Sequence, residues 1–151
     1  QIGNEVRLID YIEDTGKGMD HYIKVVKSKP YTYDTHNAPH DIAVREFTSG
    51  KARIDVARDL GIDFDIVPNI PVADGINAVR AIFNRCVFDE KNCKQGLLAL
   101  RNYKKQFDEI KNTFKLKPLH DWSSNAADSF RYMAVGISER KPKYYQPEYS
   151  E

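Results

Sequence analysis

The feature that most constrains this chain is an alternation. Short runs of β-forming residues are each followed by a segment whose apolar side chains recur at helical spacing, with Gly or Pro at the joints. Glu5 to Ile12 is rich in β-formers and partly alternates, which predicts a strand. Residues 13–18, Glu-Asp-Thr-Gly-Lys-Gly, interrupt it with turn chemistry. Met19, Tyr22, Ile23 and Val26 then form one apolar stripe, a helix that Pro30 ends. Tyr31-Thr32-Tyr33 predicts the start of a short strand. Residues 35–51 read as a long connection, a length that in compact domains accompanies function.

The alternation continues with a helix from Arg53 to Leu60 stopped by Gly61, and a strand from Phe64 to Val67 closed by Pro68. A helix over Ala73 to Phe83 carries Asp74 at its positive end. Cys86-Val87-Phe88 predicts a fourth strand and Cys93 to Tyr103 a helix. Gln106 to Leu116 reads as a hairpin or an irregular excursion. Trp122 to Val135 is the last expected helix, with Gly136 at the C-cap. Residues beyond Ser138 show no periodicity and are expected to lack packed structure. The domain reading is therefore 1–138, with 139–151 as a flexible tail.

Strands alternating with helices imply an α/β fold whose sheet is mostly parallel, with the reactive site beyond the carboxyl ends of its strands. At 151 residues the chain fits one domain, and 41% hydrophobic against 30% charged residues argues against wholesale disorder. Lys and Arg total 23 against 22 acids, so any nucleic-acid contact must come from a local basic face rather than from global charge. The cysteines, Cys86 and Cys93, suit free thiols in a reducing cytoplasm better than a disulfide scaffold. No apolar run approaches the roughly 20 residues that cross a bilayer, so no membrane partner is expected. Gln1 leads almost directly into a strand with no initiator Met, which reads as a piece cut from a longer polypeptide.

Two stretches could carry chemistry: Asn37-Ala38-Pro39-His40-Asp41, and the run from His120 to Tyr132. Asp41 follows the strand expected to begin at Tyr31. It reads either as a metal ligand on a turn stiffened by Pro39 or as a solvated loop aspartate. Asp128 lies inside the last helix, where aspartate is a poor interior residue, after two alanines that let a helix approach a sheet closely. It reads as a metal ligand, or as the partner of Arg131 in a surface pair. Carboxylates that converge from distant parts of a chain are what hard divalent cations need. Asp121 reads as the cap of that helix. His36 and His40 are four apart, but Pro39 between them disfavours the helix that would make the spacing a zinc site. His40 and His120, with Asp121 and Asn125, are instead possible supports for the carboxylates. Gly16-Lys17-Gly18 lacks the glycine pattern and the Ser/Thr of a nucleotide-binding loop and reads as a tight turn. Lys51 and Arg53 after Asp41, and Arg101, Lys104 and Lys105 before Asp121, are candidate DNA-backbone contacts. No Ser/His/Asp or Cys/His arrangement has a recognisable context for nucleophilic catalysis.

Leu8 to Tyr22, Pro39-His40-Asp41, Val67-Pro68-Asn69, Asp74 to Arg80, Gly96 to Tyr103, and His120 to Tyr132 together resemble the C-terminal nuclease domain of the large terminase subunit of tailed bacteriophages. The likeness runs from about Glu5 to Gly136. It implies an RNase H-like fold, a central mixed sheet flanked by helices, in which three acids gather two Mg²⁺ or Mn²⁺ ions. Asp41 matches the second acid and Asp128 the third, as catalytic and metal-binding residues. The first lies on a strand upstream of Glu5, so the fold is expected to lack its first strand or strands. Asn125 departs from the histidine that relatives often carry there. The implied activity is endonucleolytic cutting of concatemeric double-stranded DNA during viral genome packaging in the host bacterial cytoplasm. The implied partners are that DNA, an ATPase motor domain, the terminase small subunit and the portal. Without the first acid the chain is expected to be weakly active or inactive. The residues also leave open a non-catalytic prophage-derived docking module for DNA or protein, and another RNase H-like enzyme such as a transposase or resolvase.

Overall fold

The structure, a computed structural model, describes residues 4–45 and 50–139, with side chains to 137. Within them lie β1 (Val6–Leu8), α1 (Met19–Ser28), β2 (His36–Ala38), a 3-10 helix (His40–Ala43), α2 (Arg53–Asp59) and β3 (Phe64–Ile66). The second half holds α3 (Val72–Phe83), β4 (Cys86–Phe88), α4 (Lys94–Asn102), β5 (Lys105–Asp108), β6 (Thr113–Pro118) and α5 (Ser124–Glu139). The fold is mixed α/β. Its strands pair two by two: β1 with β4 and β2 with β3 in parallel, and β5 with β6 as an antiparallel hairpin. A continuous central sheet is not among the described pairings.

Several expected elements shift. Tyr31-Thr32-Tyr33 is not a strand; the strand starts at His36, inside what reads as a connection, and continues into the 3-10 helix. The tyrosines are used as rings instead, Tyr31 edge-on to Tyr33 and Tyr33 tilted against His36 at 4.9 Å. His36 therefore sits on a strand and His40 on a 3-10 turn, so no helix aligns them for zinc. Gly136 is not a C-cap. It lies within α5, where an added Cβ would come 3.2 Å from Asn37 Nδ2, so its size lets the helix approach β2. The start Gln1–Gly3 and residues 140–151 of the expected tail lie outside the described residues.

Other elements follow their local chemistry. Gly61, at φ +82, ends α2 as expected: its N–H donates to Arg58 O at 2.9 Å and that of Ile62 to Ala57 O at 3.0 Å. That pair of bonds satisfies carbonyls the helix would otherwise leave open. Ile23, Ala57 and Ile62 form a buried cluster that joins α1 to α2, with Met19, Val26 and Phe64 packed around it. On α5, Ala126, Ala127, Phe130, Ala134 and Val135 are buried. Phe130 sits between Phe83 of α3 (6.2 Å) and Phe88 of β4 (5.8 Å). Helix α5 thus packs on α3 and α4 and touches β2 near its C-terminal half, spanning both parallel strand pairs. Cys86 and Cys93 are free thiols. No helix among the described residues is long and apolar enough to cross a membrane.

Candidate functional site

Strands β2 and β3 run parallel, with Ala38 opposite Ile66 and the Val67 N–H donating to Ala38 O at 2.9 Å. The chain leaves the carboxyl end of β2 through Pro39, whose extended backbone caps the 3-10 helix. Ile42 is buried and anchors that turn against α2, leaving Asp41 exposed on its outer side. Asp41 therefore stands beyond the carboxyl end of a short, three-residue strand. Among the described residues its carboxylate has no hydrogen-bond or ion-pair partner.

Asp128 comes from α5. The helix starts because Asp121 organises the turn before it. Asp121 Oδ1 accepts from the Ser123 N–H at 2.9 Å and from Ser123 Oγ at 2.6 Å, while its own N–H donates to Ser124 Oγ at 3.0 Å. The Ser123 carbonyl receives the first helical bond, from Ala127, so Asp121 caps one turn ahead of the helix proper. The two Ser123 bonds hold its carboxyl below the usual range, with Lys104 and His120 adding smaller electrostatic help.

About one turn into α5, Asp128 pairs with Arg131, Nη2 to Oδ1 at 3.0 Å. The pairing read from the i, i+3 spacing is present, but it is not a surface pair. Arg131's side chain is only 10% exposed and Asp128's 41%. Burial follows from Gly75 of α3: a Cβ there would fall 2.6 Å from Arg131 Cγ and Cδ, so the bare glycine lets the guanidinium's stem lie across α3. Arg131 also lies 5.1 Å from the Tyr132 ring centroid, and its buried Nε has no hydrogen-bond partner. Packing, more than hydrogen bonding, sets where this cation lies.

Asp41 and Asp128 line one open cleft of about 560 Å³, with Asn37, Asn125, Ser129 and Tyr132 among the other walls. Asn125 and Tyr132 flank Asp128 at helical spacings of three and four, so one face of α5 presents all three. Asn37 and Tyr132 are walls that the sequence reading did not single out. The spacing of four from Asp128 was the available signal for Tyr132. For Asn37 the signal was its place on the strand that delivers Asp41. Tyr103 of the α4–β5 joint was missed as well. Its hydroxyl is pushed up by burial first and by the nearby Asp128 charge second.

The remaining candidates are elsewhere. His40 and His120 are exposed and do not line the cleft, and Asp121 serves its turn. Arg101, Lys104 and Lys105 are exposed near the α4–β5 joint. Lys51 and Arg53 line a different cleft, with Lys17.

Two carboxylates with amide and hydroxyl oxygens are a hard-oxygen donor set, which suits one Mg²⁺ or Mn²⁺ that keeps several waters. Asp128 Oδ1 is engaged by Arg131, and Oδ2 has no hydrogen bond among the described residues. No group of three or more His, Cys, Asp or Glu side chains able to hold a metal gathers among the described residues. The donors therefore fit a single, loosely held cation and do not by themselves make a two-ion centre. Comparison of the chain with known protein families, with curated proteins and with solved structures returns no match.

Proposed function

We propose that this chain is the nuclease portion of a large terminase subunit of the tailed-bacteriophage kind, an RNase H-like endonuclease acting on double-stranded DNA. The observation that carries the reading is the meeting of Asp41 and Asp128 in one solvent-open cleft from opposite ends of the sequence. Among the described residues the Asp41 carboxylate has no partner, which leaves both its oxygens open to a cation. Asp41 and Asp128 Oδ2 would hold the cation. A bound Mg²⁺ or Mn²⁺ would supply an activated water and charge stabilisation at the scissile phosphate. Arg131 sets the aim of Asp128, and Tyr132 and Asn125 border the space where a phosphodiester would lie. The parallel pair β2–β3 with α5 across it is compatible with an RNase H-like arrangement, and host cytoplasm, the motor domain, the small subunit and the portal follow from the same reading.

Because only two carboxylates meet, cation binding is expected to be weak and cutting slow or absent. Mn²⁺ binding followed by electron paramagnetic resonance tests this. Wild-type protein binds weakly, and Asp41→Asn and Asp128→Asn each abolish it. Binding that survives both substitutions refutes the site. Robust plasmid nicking in Mn²⁺, lost in Asp41→Asn, would show instead that the two acids suffice and that no third carboxylate is needed.

A further inference from the structure

We infer that the hairpin β5–β6 is a ribbon that grips duplex DNA, seated in a groove of the duplex with its lysines on the flanking phosphates. The inference rests on the nuclease reading for the partner being DNA, and on residues outside the carboxylate cleft for the surface. Residues 104–117 hold five lysines against Asp108 and Glu109, a local charge of +3 in a chain whose net charge is +1. A chain so close to neutral needs a local basic face of this kind to hold a nucleic acid. Among the described residues, Lys105, Lys111, Lys115 and Lys117 have no side-chain hydrogen bond or ion pair. Lys111, Lys115 and Lys117 line one shallow concavity of about 680 Å³ with Phe114 and Leu116. Asp108, also in its wall, is turned to the hairpin's own backbone, Oδ1 accepting from the Lys111 N–H at 3.1 Å.

The ribbon packs chiefly on itself. Phe107 and Phe114 are cross-strand partners with rings 5.1 Å apart, yet they stay 45% and 61% exposed. Ile110 in the turn and Leu116 on β6 are 97% and 95% exposed. A two-stranded hairpin without cover is marginal in water, and apolar side chains this open mark a contact surface. A protein partner would use the apolar residues and leave the unpaired lysines unexplained. A duplex uses both. Its major groove admits a two-stranded ribbon, thymine methyls on the floor meet apolar side chains, and phosphates line both rims. Lysine suits the rims, because its flexible four-carbon stem carries a point charge to a phosphate at any base sequence.

Both ends of the ribbon are rooted beside the carboxylate cleft. Its base is closed by the Leu119 N–H donating to Lys104 O at 2.9 Å. On one side Tyr103 ends α4, where its hydroxyl feels the charges of Asp128 and Arg131. On the other side the Asp121 turn leads directly into α5, whose first turns carry Asn125 and Asp128 into the cleft. A duplex held by the ribbon is therefore held next to Asp128. Two carboxylates repel a phosphate, so a cationic grip outside the cleft is what such a site needs.

The test is fluorescence anisotropy of a short fluorescein-labelled duplex in EDTA, titrated at several NaCl concentrations. Lys111→Gln, Lys115→Gln and Lys117→Gln combined are expected to weaken binding roughly tenfold or more at low salt, and to flatten the log–log salt slope by about one per lysine. Lys24→Gln, Lys91→Gln and Lys94→Gln combined remove the same charge away from the ribbon and should bind like wild type. Ile110→Ser and Leu116→Ser remove no charge, so they should weaken binding and keep the slope. All these side chains are exposed, so melting temperatures should stay at the wild-type value. Wild-type affinity and slope in the ribbon lysine variant overturn the inference, as does an equal loss in the control variant. So does failure of the wild-type chain to bind at low salt, or an unlabelled single strand competing as well as the duplex. A self-association seen by sedimentation that the serine substitutions dissolve, with duplex affinity unchanged, gives the ribbon to a protein contact and overturns it too. Asp41→Asn run alongside separates the two claims. Unchanged Mn²⁺ binding in that variant, with the lysine effects intact, sinks the nuclease reading alone. Ribbon variants that bind like wild type, with Mn²⁺ binding lost in Asp41→Asn, sink the ribbon alone.

Discussion

Replacing each of the two cleft carboxylates by its amide should affect stability very differently, although both substitutions look alike on paper. Asp128 is bonded to a guanidinium that is only 10% exposed, and its own side chain is 41% exposed. Removing one partner of a fully buried pair costs about 3–5 kcal/mol, whereas an exposed pair is worth about 0–1 kcal/mol. A pair with one buried and one half-open member falls between these limits. Asparagine also keeps an oxygen for Arg131 to donate to, so Asp128→Asn should cost about 1.5 kcal/mol. For a chain of this size that lowers Tm by about 3–6 °C. Asp41 is exposed and has no partner to lose among the described residues, so Asp41→Asn should stay within about 0.5 kcal/mol of wild type, on either side. Thermal melts by circular dichroism at pH 7 decide it. Equal losses from the two substitutions, or no loss from Asp128→Asn, would refute the claim that Arg131 depends on Asp128. A double-mutant cycle with Arg131→Met sharpens the measurement, since the penalty of Asp128→Asn should largely vanish once no buried cation is left behind.

Gly75→Ala should destabilise the fold, because overpacking against the buried Arg131 stem at 2.6 Å costs about 1–3 kcal/mol while the helical gain over glycine is about 0.5–1 kcal/mol; a Tm at or above wild type would show that Arg131 can move aside. Asp121 ionises more readily in the folded chain than in the unfolded one, because Ser123 donates to it. Its contribution is therefore complete above the ordinary carboxylate range and fades as pH falls through the lowered folded value. Asp121→Ala should lower Tm at neutral pH, with the gap to wild type closing under strongly acid conditions. A gap independent of pH would refute this account. Burial raises the thiol of Cys93, whose Sγ–H also donates to Leu8 O at 3.4 Å. Alkylation monitored by mass spectrometry should modify this thiol slowly at pH 7.5 and faster as pH rises; rapid, pH-independent modification would show that the β1–α4 joint opens freely.

Much of the architecture was legible because local chemistry and tertiary structure agree. The stripe Met19, Tyr22, Ile23, Val26 forms α1, Gly61 ends α2, and Cys86–Phe88 is the strand its composition suggests. Asp121 caps the turn that its position before Trp122 and Ser123 implied. Legibility failed where a residue's role depends on something far away in the chain. Tyr31-Thr32-Tyr33 has β-forming side chains, but the partner strand Phe64–Ile66 pairs with His36–Ala38 instead. Gly136 has the look of a helix stop, but its smallness is used against Asn37, and α5 runs on to Glu139.

The sequence by itself determined the α/β alternation, the helix boundaries to within a few residues, and which carboxylates were worth watching. These are set by periodicity, by turn residues and by side-chain chemistry, all of which act over a few residues. Only the tertiary structure decided that Asp41 and Asp128 share a cleft, that Arg131 is buried, and that Lys17 lines one cleft with Lys51 and Arg53. Each of those facts depends on how closely two helices, or a helix and a strand, can approach. That distance is fixed by the bare backbones at Gly75 and Gly136 and by the packed side chains of Ile23 and Ala57, whose partners lie in other parts of the chain.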